Sequence, residues 1–172
     1  MTTPPVSAII QEQAAGIRLL VLDVDGVMTD GGLYYDADGR ETKVFNVKDG
    51  YGIKAVAAIG ITVAVISGRR CKAVEMRTAE LNIKYVSLSQ DDKLAALNAI
   101  VEQLNVPMEA VACVGDDVPD LPILIAAGLG IAVADAHPDV LAAADWCTRL
   151  NGGKGAVREV CDLLIAARAS GP

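Results

Sequence analysis

The sequence IRLLVLDVDG, residues 17–26, decides the fold of this 172-residue chain. Its first six residues form a mostly apolar run, which is typical of a strand buried on both faces of a sheet. Two carboxylates, Asp23 and Asp25, follow that run at once, and Gly26 comes after them. Carboxylates directly after a buried strand are costly to desolvate unless they serve a ligand. The stretch therefore predicts a strand whose carboxyl end carries a functional site.

Further apolar runs follow, and each is separated from the next by a segment with helical character. Strands are predicted at residues 61–66, 84–88, 111–114, 130–134 and 146–148. Helices are predicted at residues 49–59, 121–127 and 156–168. A further helix follows residues 67–68 and runs to about residue 81, and a short one begins at residue 138. Another begins at residue 91 and has apolar residues at positions 94, 97, 100, 101 and 104. Asp49 is expected to cap the helix at residues 49–59, Gly60 to end that helix and Asp91 to open the helix that begins at residue 91. This alternation predicts a doubly wound, Rossmann-like parallel α/β sheet with helices on both faces.

One β-hairpin is predicted at about residues 31–47, where two β-prone runs surround the turn Asp36-Ala37-Asp38-Gly39. The rest of residues 17–168 is predicted to form a single domain. Residues 1–16 hold two prolines and are expected to form an arm or a short leading helix, and residues 169–172 a tail.

The composition limits the classes of function. Hydrophobic residues make up 52% of the chain and charged residues 22%, which excludes a disordered polymer-like chain. The net charge of -7 repels nucleic acid and anionic membranes, so neither is expected as a partner. The four cysteines form no C-x-x-C pair, which predicts free thiols rather than a zinc site or disulfides. Residues 1–13 do not resemble a signal peptide, and a cytoplasmic location is expected.

Polar side chains follow three of the predicted strands. Asp23 and Asp25 follow the first, Ser67 the second, and Asp116 with Asp117 the strand at 111–114. Ligands in such sheets bind beyond the carboxyl ends of the strands, so these residues are expected at one rim. Lys93 begins a helix that faces the same rim.

Clustered carboxylates repel one another and require a cation. Oxygen ligands without His or Cys favour Mg²⁺. A calcium loop does not fit, because Gly26 is the fourth residue of the run from Asp23 and that motif has its glycine sixth. With Mg²⁺ bound, a carboxylate can attack a phosphate monoester in line, and water can then hydrolyse the phospho-aspartate. A second carboxylate could protonate the leaving alkoxide, and Ser67 and Lys93 could bind the transferring oxygens.

Four motifs resemble those of the haloacid dehalogenase superfamily, phosphatase branch. They are residues 23–30 (DVDGVMTD), Ser67-Gly68, Lys93 and Gly115-Asp116-Asp117-x-x-Asp120. The resemblance implies that Asp23 is the nucleophile and Asp25 the general acid and base. It further implies that Mg²⁺ is held by the Asp23 carboxylate, the Asp25 main-chain carbonyl and Asp116, and that Ser67 and Lys93 clamp the phosphoryl group. Asp117 and Asp120 are expected to orient these groups; Asp120 in particular would orient Lys93 or cap a helix.

Within that superfamily the chain resembles the family of phosphatases that act on 3-deoxy-D-manno-octulosonate 8-phosphate (Kdo 8-phosphate). The stretches that carry this resemblance are residues 31–35, 45–50, 134–138 and 152–159. The family implies hydrolysis of Kdo 8-phosphate to Kdo and phosphate during lipopolysaccharide precursor synthesis. Gly68, Arg69, Lys154 and Arg158 are expected to bind the substrate, with its carboxylate received by Arg69 or Lys154. Two departures bear on the substrate: the approach to Lys93 lacks a glycine, and Lys154 stands where the family often has Arg.

Other functions stay open at this point. A nine-carbon sugar acid 9-phosphate is an alternative substrate for the same chemistry. A receiver-like signalling domain also uses carboxylates, Mg²⁺, a hydroxyl and a lysine, although its phosphate acceptor belongs on a middle strand. A phosphosugar mutase with the same nucleophile is disfavoured, because retaining its intermediate calls for a closing cap.

No cap domain fits into the chain. Only 43 residues separate Asp23 from Ser67, and only 22 separate Lys93 from Asp116. The hairpin carries Leu33, Val44 and three of the six aromatic residues, namely Tyr34, Tyr35 and Phe45. Because a two-stranded ribbon is marginal alone, hairpins from several subunits are expected to pack together and cover a neighbour's site. The resemblance implies a homotetramer; the alternative is a hairpin folded onto its own domain.

Overall fold

A computed structural model describes residues 6–170 and contains a sheet of six parallel strands. The sheet order is β5-β4-β1-β6-β7-β8, and β2 and β3 form a separate antiparallel pair. The strands are β1 (Leu19–Leu22), β2 (Tyr34–Tyr35), β3 (Glu41–Thr42), β4 (Thr62–Ser67), β5 (Tyr85–Leu88), β6 (Val111–Gly115), β7 (Leu129–Ala132) and β8 (Trp146–Cys147). The predicted doubly wound α/β fold is confirmed, with the hairpin as its insertion.

Seven α-helices cover the sheet in the described residues. They are α1 (Ala8–Gly16), α2 (Val47–Ala58), α3 (Lys72–Glu80), α4 (Lys93–Leu104), α5 (Leu121–Ala126), α6 (Pro138–Ala143) and α7 (Ala156–Ser170). Helix α7 packs against α1 and α2, whereas α5 packs against α4 and α6. The sheet is therefore the middle of three layers: β1, β6 and β7 are fully buried, and the edge strands β5 and β8 are half-buried.

Strand β1 lies at the centre of the sheet, and all four of its residues are buried. It pairs with β4 on one side and with β6 on the other, so that Leu22 lies level with Val65 and Val114. The chain runs outward from β1 through β4 to β5 and then returns to the other side of β1 at β6. The strand order reverses there, which opens a crevice beyond the carboxyl ends of β1 and β6. Asp23 and Asp116 follow these two strands directly.

The structure corrects two helix starts. Asn46, not Asp49, is the N-cap of α2, since its side chain accepts a hydrogen bond from the Lys48 N–H at 2.8 Å. Asp49 lies inside α2 instead and is buried; its Oδ1 accepts from the Arg158 N–H in the first turn of α7 at 2.8 Å. It thus caps a helix 109 residues away in sequence. Asp92 rather than Asp91 caps α4, with Oδ1 2.9 Å from the Ala95 nitrogen.

The ends of the chain differ in part from expectation. Residues 8–16 form the short helix α1, whose Ile10 and Ala14 are buried in the core, and residues 1–5 lie outside the described part. Helix α7 continues to Ser170, so the expected tail begins later than residue 169. The division into an arm and a single domain stays a prediction. Within residues 6–170, no helix is both long enough and apolar enough to cross a bilayer.

The hairpin is confirmed, although its strands are only two residues each. Leu33, Tyr34, Tyr35 and Val44 are exposed. Phe45 differs from these residues, because it packs against the core with the Arg77 guanidinium 5.9 Å above its ring. The exposed apolar face of the hairpin is therefore smaller than the sequence indicated.

Candidate active site

A buried lysine joins the ends of two strands in the crevice. Lys93, the first residue of α4, directs its Nζ to Asp23 Oδ1 at 2.8 Å and to Asp120 Oδ1 at 2.5 Å. The three side chains are nearly inaccessible to water. An ammonium in such a position would cost several kcal/mol without partners, and the two carboxylates offset that cost. Asp23 is consequently fixed on one side and has its second oxygen left for other chemistry.

Asp120 is fully engaged by protein groups. Besides Lys93, it accepts hydrogen bonds on Oδ2 from the Asp116 N–H at 3.0 Å and the Asp117 N–H at 3.3 Å. Asp117 in turn caps the short 3₁₀ helix Val118–Asp120 through its own side chain. Both residues therefore fix the backbone of the loop after β6, and their role in the reaction stays a prediction.

Asp116 completes an acidic cluster that fits a metal ion. Oxygens of Asp23, Asp116 and Asp120 all lie within 4.8 Å of one another. A Cβ on Gly26 would come within 2.0 Å of Asp116 Oδ2, and Gly26 has a φ of +86°, so only glycine leaves room for this carboxylate. With Asp120 engaged, Asp23 and Asp116 are the side chains free to hold Mg²⁺, an ion that prefers oxygen ligands.

The electrostatics of the cluster also favour a cation. Burial, with the nearby charge of Asp120, raises the pKa of Asp23 to about 6, although Lys93 opposes the shift. Burial and the charges of Asp23 and Asp120 raise the pKa of Asp116 to about 8. Burial acts to lower the pKa of Lys93, but the two carboxylates outweigh it and raise the value. Three carboxylates thus face one ammonium, and a divalent cation would relieve their repulsion.

Ser67 and Gly68 form the neighbouring rim at the end of β4. Ser67 is buried, and its Oγ accepts a hydrogen bond from the Arg69 N–H at 3.3 Å. The Ser67 carbonyl accepts from the Gln90 N–H at 3.1 Å, which ties this turn to the segment that leads into α4. An added Cβ atom at Gly68 would lie 3.7 Å from the Gln90 carbonyl oxygen, which is ordinary van der Waals contact. The turn is therefore held by the hydrogen bonds of Ser67 and not by a steric need for glycine.

Asp25 contacts residues that the sequence analysis missed. Lys43, which follows β3 of the hairpin, donates from Nζ to Asp25 Oδ1 and to Glu41 Oε1, the latter at 2.9 Å. Arg69 approaches Asp25 Oδ2 with Nε at 3.7 Å and donates from Nη2 to Glu41 Oε1 at 3.1 Å. Residues 41 and 43 point to the same face of an extended segment. That alternation of opposite charges was the available signal for the pair.

The other two charged candidates for substrate binding, Lys154 and Arg158, contact different partners. Lys154 is exposed and lies 3.7 Å from Asp30 Oδ2. Its loop is held against the first motif, since the Gly153 N–H donates to the Val27 carbonyl at 3.0 Å. Arg158 instead directs Nε to Asp162 at 2.8 Å and places its guanidinium 5.0 Å from the Tyr51 ring centre. The structure brings Arg69 to the Asp25 side chain, but it turns Arg158 toward its own helix.

Similarity to known proteins covers nearly the whole chain. A sequence profile of the haloacid dehalogenase-like hydrolase family matches residues 86–160. The 3-deoxy-D-manno-octulosonate 8-phosphate phosphatase KdsC of Escherichia coli (strain B / BL21-DE3) is 51% identical over 164 residues, which are 95% of this chain and 87% of that protein.

Two crystal structures have closely similar folds. The phosphatase of the same name from Yersinia pestis has a TM-score of 0.95 at 48% identity, over 96% of this chain and 89% of that one. The Moraxella catarrhalis phosphatase, a complex with a magnesium ion, a phosphate ion and a Kdo molecule, has a TM-score of 0.91 at 41% identity, over 93% of this chain and 92% of the other.

Proposed function

The chain belongs to the haloacid dehalogenase-like hydrolases and, among them, to the family of the Kdo 8-phosphate phosphatases, and from this we propose that it hydrolyses Kdo 8-phosphate to Kdo and phosphate with Mg²⁺ as its cofactor. The observation that carries the proposal is the cluster in which Lys93 joins Asp23 to Asp120 beside Asp116. That cluster offers a nucleophile, a fixed positive charge and two carboxylates for a metal at a single rim.

Each residue of the cluster has a separate role in the proposed reaction. The free oxygen of Asp23 attacks phosphorus and forms a phospho-aspartate. Lys93 and the Ser67 hydroxyl bind the phosphoryl oxygens, where negative charge must be stabilised in the transition state. Asp23, Asp116 and the Asp25 carbonyl would hold Mg²⁺, which supplies further charge neutralisation when bound.

Asp25 handles the proton in both halves of the reaction. Its carboxyl group gives a proton to the sugar oxygen as the ester bond breaks, and its carboxylate then accepts a proton from the water that hydrolyses the phospho-aspartate. The side chain is 21% exposed, so it reaches the open side of the crevice. Arg69, which is close to Asp25 Oδ2 and 45% exposed, is suited to receive the substrate carboxylate. Lys154 is a second candidate, and the role of Arg158 stays a prediction.

A substrate panel tests this function. We expect many equivalents of phosphate per subunit from Kdo 8-phosphate in the presence of Mg²⁺, none with EDTA, and recovery when Mg²⁺ is restored. The value of kcat/KM should be at least about tenfold higher for Kdo 8-phosphate than for nine-carbon sugar acid 9-phosphates, because one extra or missing substrate group is worth about 1–3 kcal/mol. A reversed order would assign the nine-carbon substrate, and release of one equivalent at most would contradict an enzyme.

We also propose that the chain forms a homotetramer through its hairpins. The supporting observation is the exposed apolar surface of Leu33, Tyr34, Tyr35 and Val44, together with Val47, whose surface is 82% exposed. Exposed apolar side chains concentrated on one hairpin are typical of interaction sites. The hairpin contacts its own domain through Glu41, Lys43 and the Tyr35 hydroxyl, which accepts a hydrogen bond from Arg69 at 3.4 Å, and its exposed apolar side chains are left for neighbouring subunits.

Mass photometry at micromolar concentration tests the assembly. The unaltered chain should give the mass of four subunits, and a Leu33→Asp/Val44→Asp variant should give mostly monomers, since an interface cannot bury the new charges cheaply. An exposed Ile125→Asp substitution on α5 serves as the control. A monomeric unaltered chain would contradict the proposal.

We further propose a cytoplasmic location and a role in supplying Kdo for lipopolysaccharide precursors. All four cysteines are free thiols, which supports a reducing compartment. Depletion of the chain in its host should cause Kdo 8-phosphate to accumulate, as measured by mass spectrometry of cell extracts. Unchanged Kdo 8-phosphate would contradict this role.

A further inference from the structure

We propose that Lys43 is a positioning residue that holds the Asp25 carboxylate in the orientation required for proton transfer, an inference that rests on the proposed function. Lys43 belongs to the hairpin and not to any of the motifs that carry the family resemblance. Its ammonium donates to Asp25 Oδ1, which is a contact between the inserted ribbon and the loop after the central strand.

Burial separates Lys43 from the substrate. The side chain of Lys43 is only 1% exposed, whereas that of Asp25 is 21% exposed and that of Arg69 is 45% exposed. The ammonium of Lys43 is therefore closed to solvent and bound by Asp25 and Glu41, so it offers no open donor to a sugar phosphate. Lys43 can affect the reaction through Asp25 or, by way of Glu41, through Arg69. Only the path through Asp25 depends on whether the leaving group needs a proton.

The contacts divide the two oxygens of Asp25 between different tasks. Oδ1 is bound by Lys43 from the buried side, and Oδ2 lies 3.7 Å from Arg69 Nε on the open side. Oδ2 is thus the oxygen that can hold the proton given to the leaving sugar oxygen and later regain one from the attacking water. A carboxylate fixed at one oxygen has its other oxygen directed, and proton transfer depends on such geometry.

Glu41 makes this arrangement electrostatically neutral. Its Oε1 accepts from Lys43 at 2.9 Å and from Arg69 at 3.1 Å, so two cations and two carboxylates alternate across the cluster. Glu41 offsets the charge of the ammonium, and Lys43 can hold Asp25 in place without adding net positive charge beside it.

The hairpin supplies one of the contacts that fix the Asp25 side chain from outside the central sheet. Without a cap, the described residues that contact the Asp25 side chain from outside the central sheet are Lys43 of the hairpin and Arg69 of the β4–α3 turn. The position of the acid therefore depends on the docking of the hairpin.

The test compares substrates that differ in their need for a proton. Lys43→Met keeps the length of the side chain and removes the ammonium. With Kdo 8-phosphate, whose alkoxide must be protonated, kcat/KM should fall about 10²-fold, within the range that general acid catalysis contributes. With p-nitrophenyl phosphate, whose phenolate leaves without a proton, kcat/KM should stay within about fivefold, since kcat/KM reports only the steps up to departure of the leaving group and not the later hydrolysis that both substrates share. Lys72→Met, on the exposed surface of α3, is the matched control and should change neither value.

A double-mutant cycle separates a positioning role from a structural one. In the Asp25→Asn background, Lys43→Met should cost no further activity, because the group through which it acts is already gone. The rise in melting temperature on adding Mg²⁺ should be the same in the Lys43→Met variant and the unaltered chain. Equal losses on both substrates, or a further loss in the Asp25→Asn background, would overturn the inference.

A second variant covers the case in which Lys43→Met does not fold. Lys43→Gln shortens the side chain and removes its charge but keeps a donor for Glu41, and it should lower kcat/KM for Kdo 8-phosphate about tenfold more than kcat/KM for the aryl phosphate. No difference between the substrates would count against the inference. If the unaltered chain turns over Kdo 8-phosphate and Asp25→Asn impairs that substrate selectively, such a failure concerns Lys43 alone and leaves the proposed function intact.

Discussion

Two buried lysines stand on either side of the candidate active site, and each lies between two carboxylates. Lys93 joins Asp23 to Asp120, and Lys43 joins Asp25 to Glu41. The surroundings differ in charge. Around Lys93, a third carboxylate, Asp116, leaves the cluster with an excess of negative charge, whereas Arg69 balances the cluster around Lys43. The first cluster therefore attracts a cation and the second does not.

The two clusters also differ in how the chain builds them. Lys93 begins the helix that follows β5, so its position is a direct consequence of the sheet. Lys43 follows a two-residue strand of a hairpin that is marginal by itself. The comparison indicates that the phosphoryl-transfer site is built into the fold, whereas the orientation of the acid depends on an insertion.

Removing the nucleophile should have the largest effect. Asp23→Asn should lower phosphate release from every substrate by at least about 10⁴-fold, because a carboxamide does not form the phospho-aspartate. The variant should stay folded, since it reduces repulsion with Asp116 and Asp120. Phosphate release and circular dichroism measure the two properties. A near-normal kcat would remove Asp23 from the role of nucleophile.

Replacing the other lysine sharpens the comparison. Lys93→Met should lower kcat about 10³-fold, because the ammonium stabilises charge on the transferring phosphoryl group. Unlike Lys43→Met, this change should affect Kdo 8-phosphate and p-nitrophenyl phosphate to the same extent, since Lys93 does not contact the leaving group. Steady-state kinetics on both substrates measure the ratio. A loss confined to Kdo 8-phosphate would show that the two lysines do not have separate roles.

The smallest expected effect concerns pH and Mg²⁺. The pKa values of Asp23 and Asp116 are raised from 3.8 to about 6 and about 8 in the folded chain without metal. Because the folded state holds these protons more tightly, the two groups favour it below pH 4, and this contribution is lost as the pH rises through 6 and 8. Mg²⁺ competes with the same protons. The rise in melting temperature that Mg²⁺ causes should therefore be roughly 3 °C larger at pH 8 than at pH 6.

Differential scanning fluorimetry checks this last prediction, and Asp116→Asn is the informative variant. The carboxamide cannot titrate and is a weaker Mg²⁺ ligand, so the Mg²⁺ effect should become both smaller and nearly independent of pH. Glu41→Gln, in the balanced cluster, should retain the pH dependence. An Mg²⁺ effect that is independent of pH in the unaltered chain would contradict the assignment of the excess charge to the Lys93 cluster.

Individual residues show how much of the candidate active site could be predicted from the sequence. The positions of Asp23 and Asp116 followed from the buried strands that precede them, because the carboxyl ends of parallel strands share an edge. The role of Asp120 beside Lys93 was expected, and the structure joins their side chains directly. Lys43 and Glu41 were missed, since nothing local in a hairpin tells which domain surface it will contact. Asp49 was assigned to the wrong helix for the same reason: the N-terminus that it caps lies 109 residues away.

The order of apolar runs and carboxylates along the chain was enough to specify a doubly wound sheet and its reactive edge, and the resemblance of the motifs to the haloacid dehalogenase superfamily implied the class of ester bond. The sheet and its edge follow from local periodicity and from the geometry shared by all parallel sheets. The tertiary structure decided which side chains from separate elements face one another, namely Lys43 with Asp25 and Asp49 with the start of α7. Such contacts depend on how finished elements dock, and docking is governed by surface shape and charge that no short stretch of sequence contains.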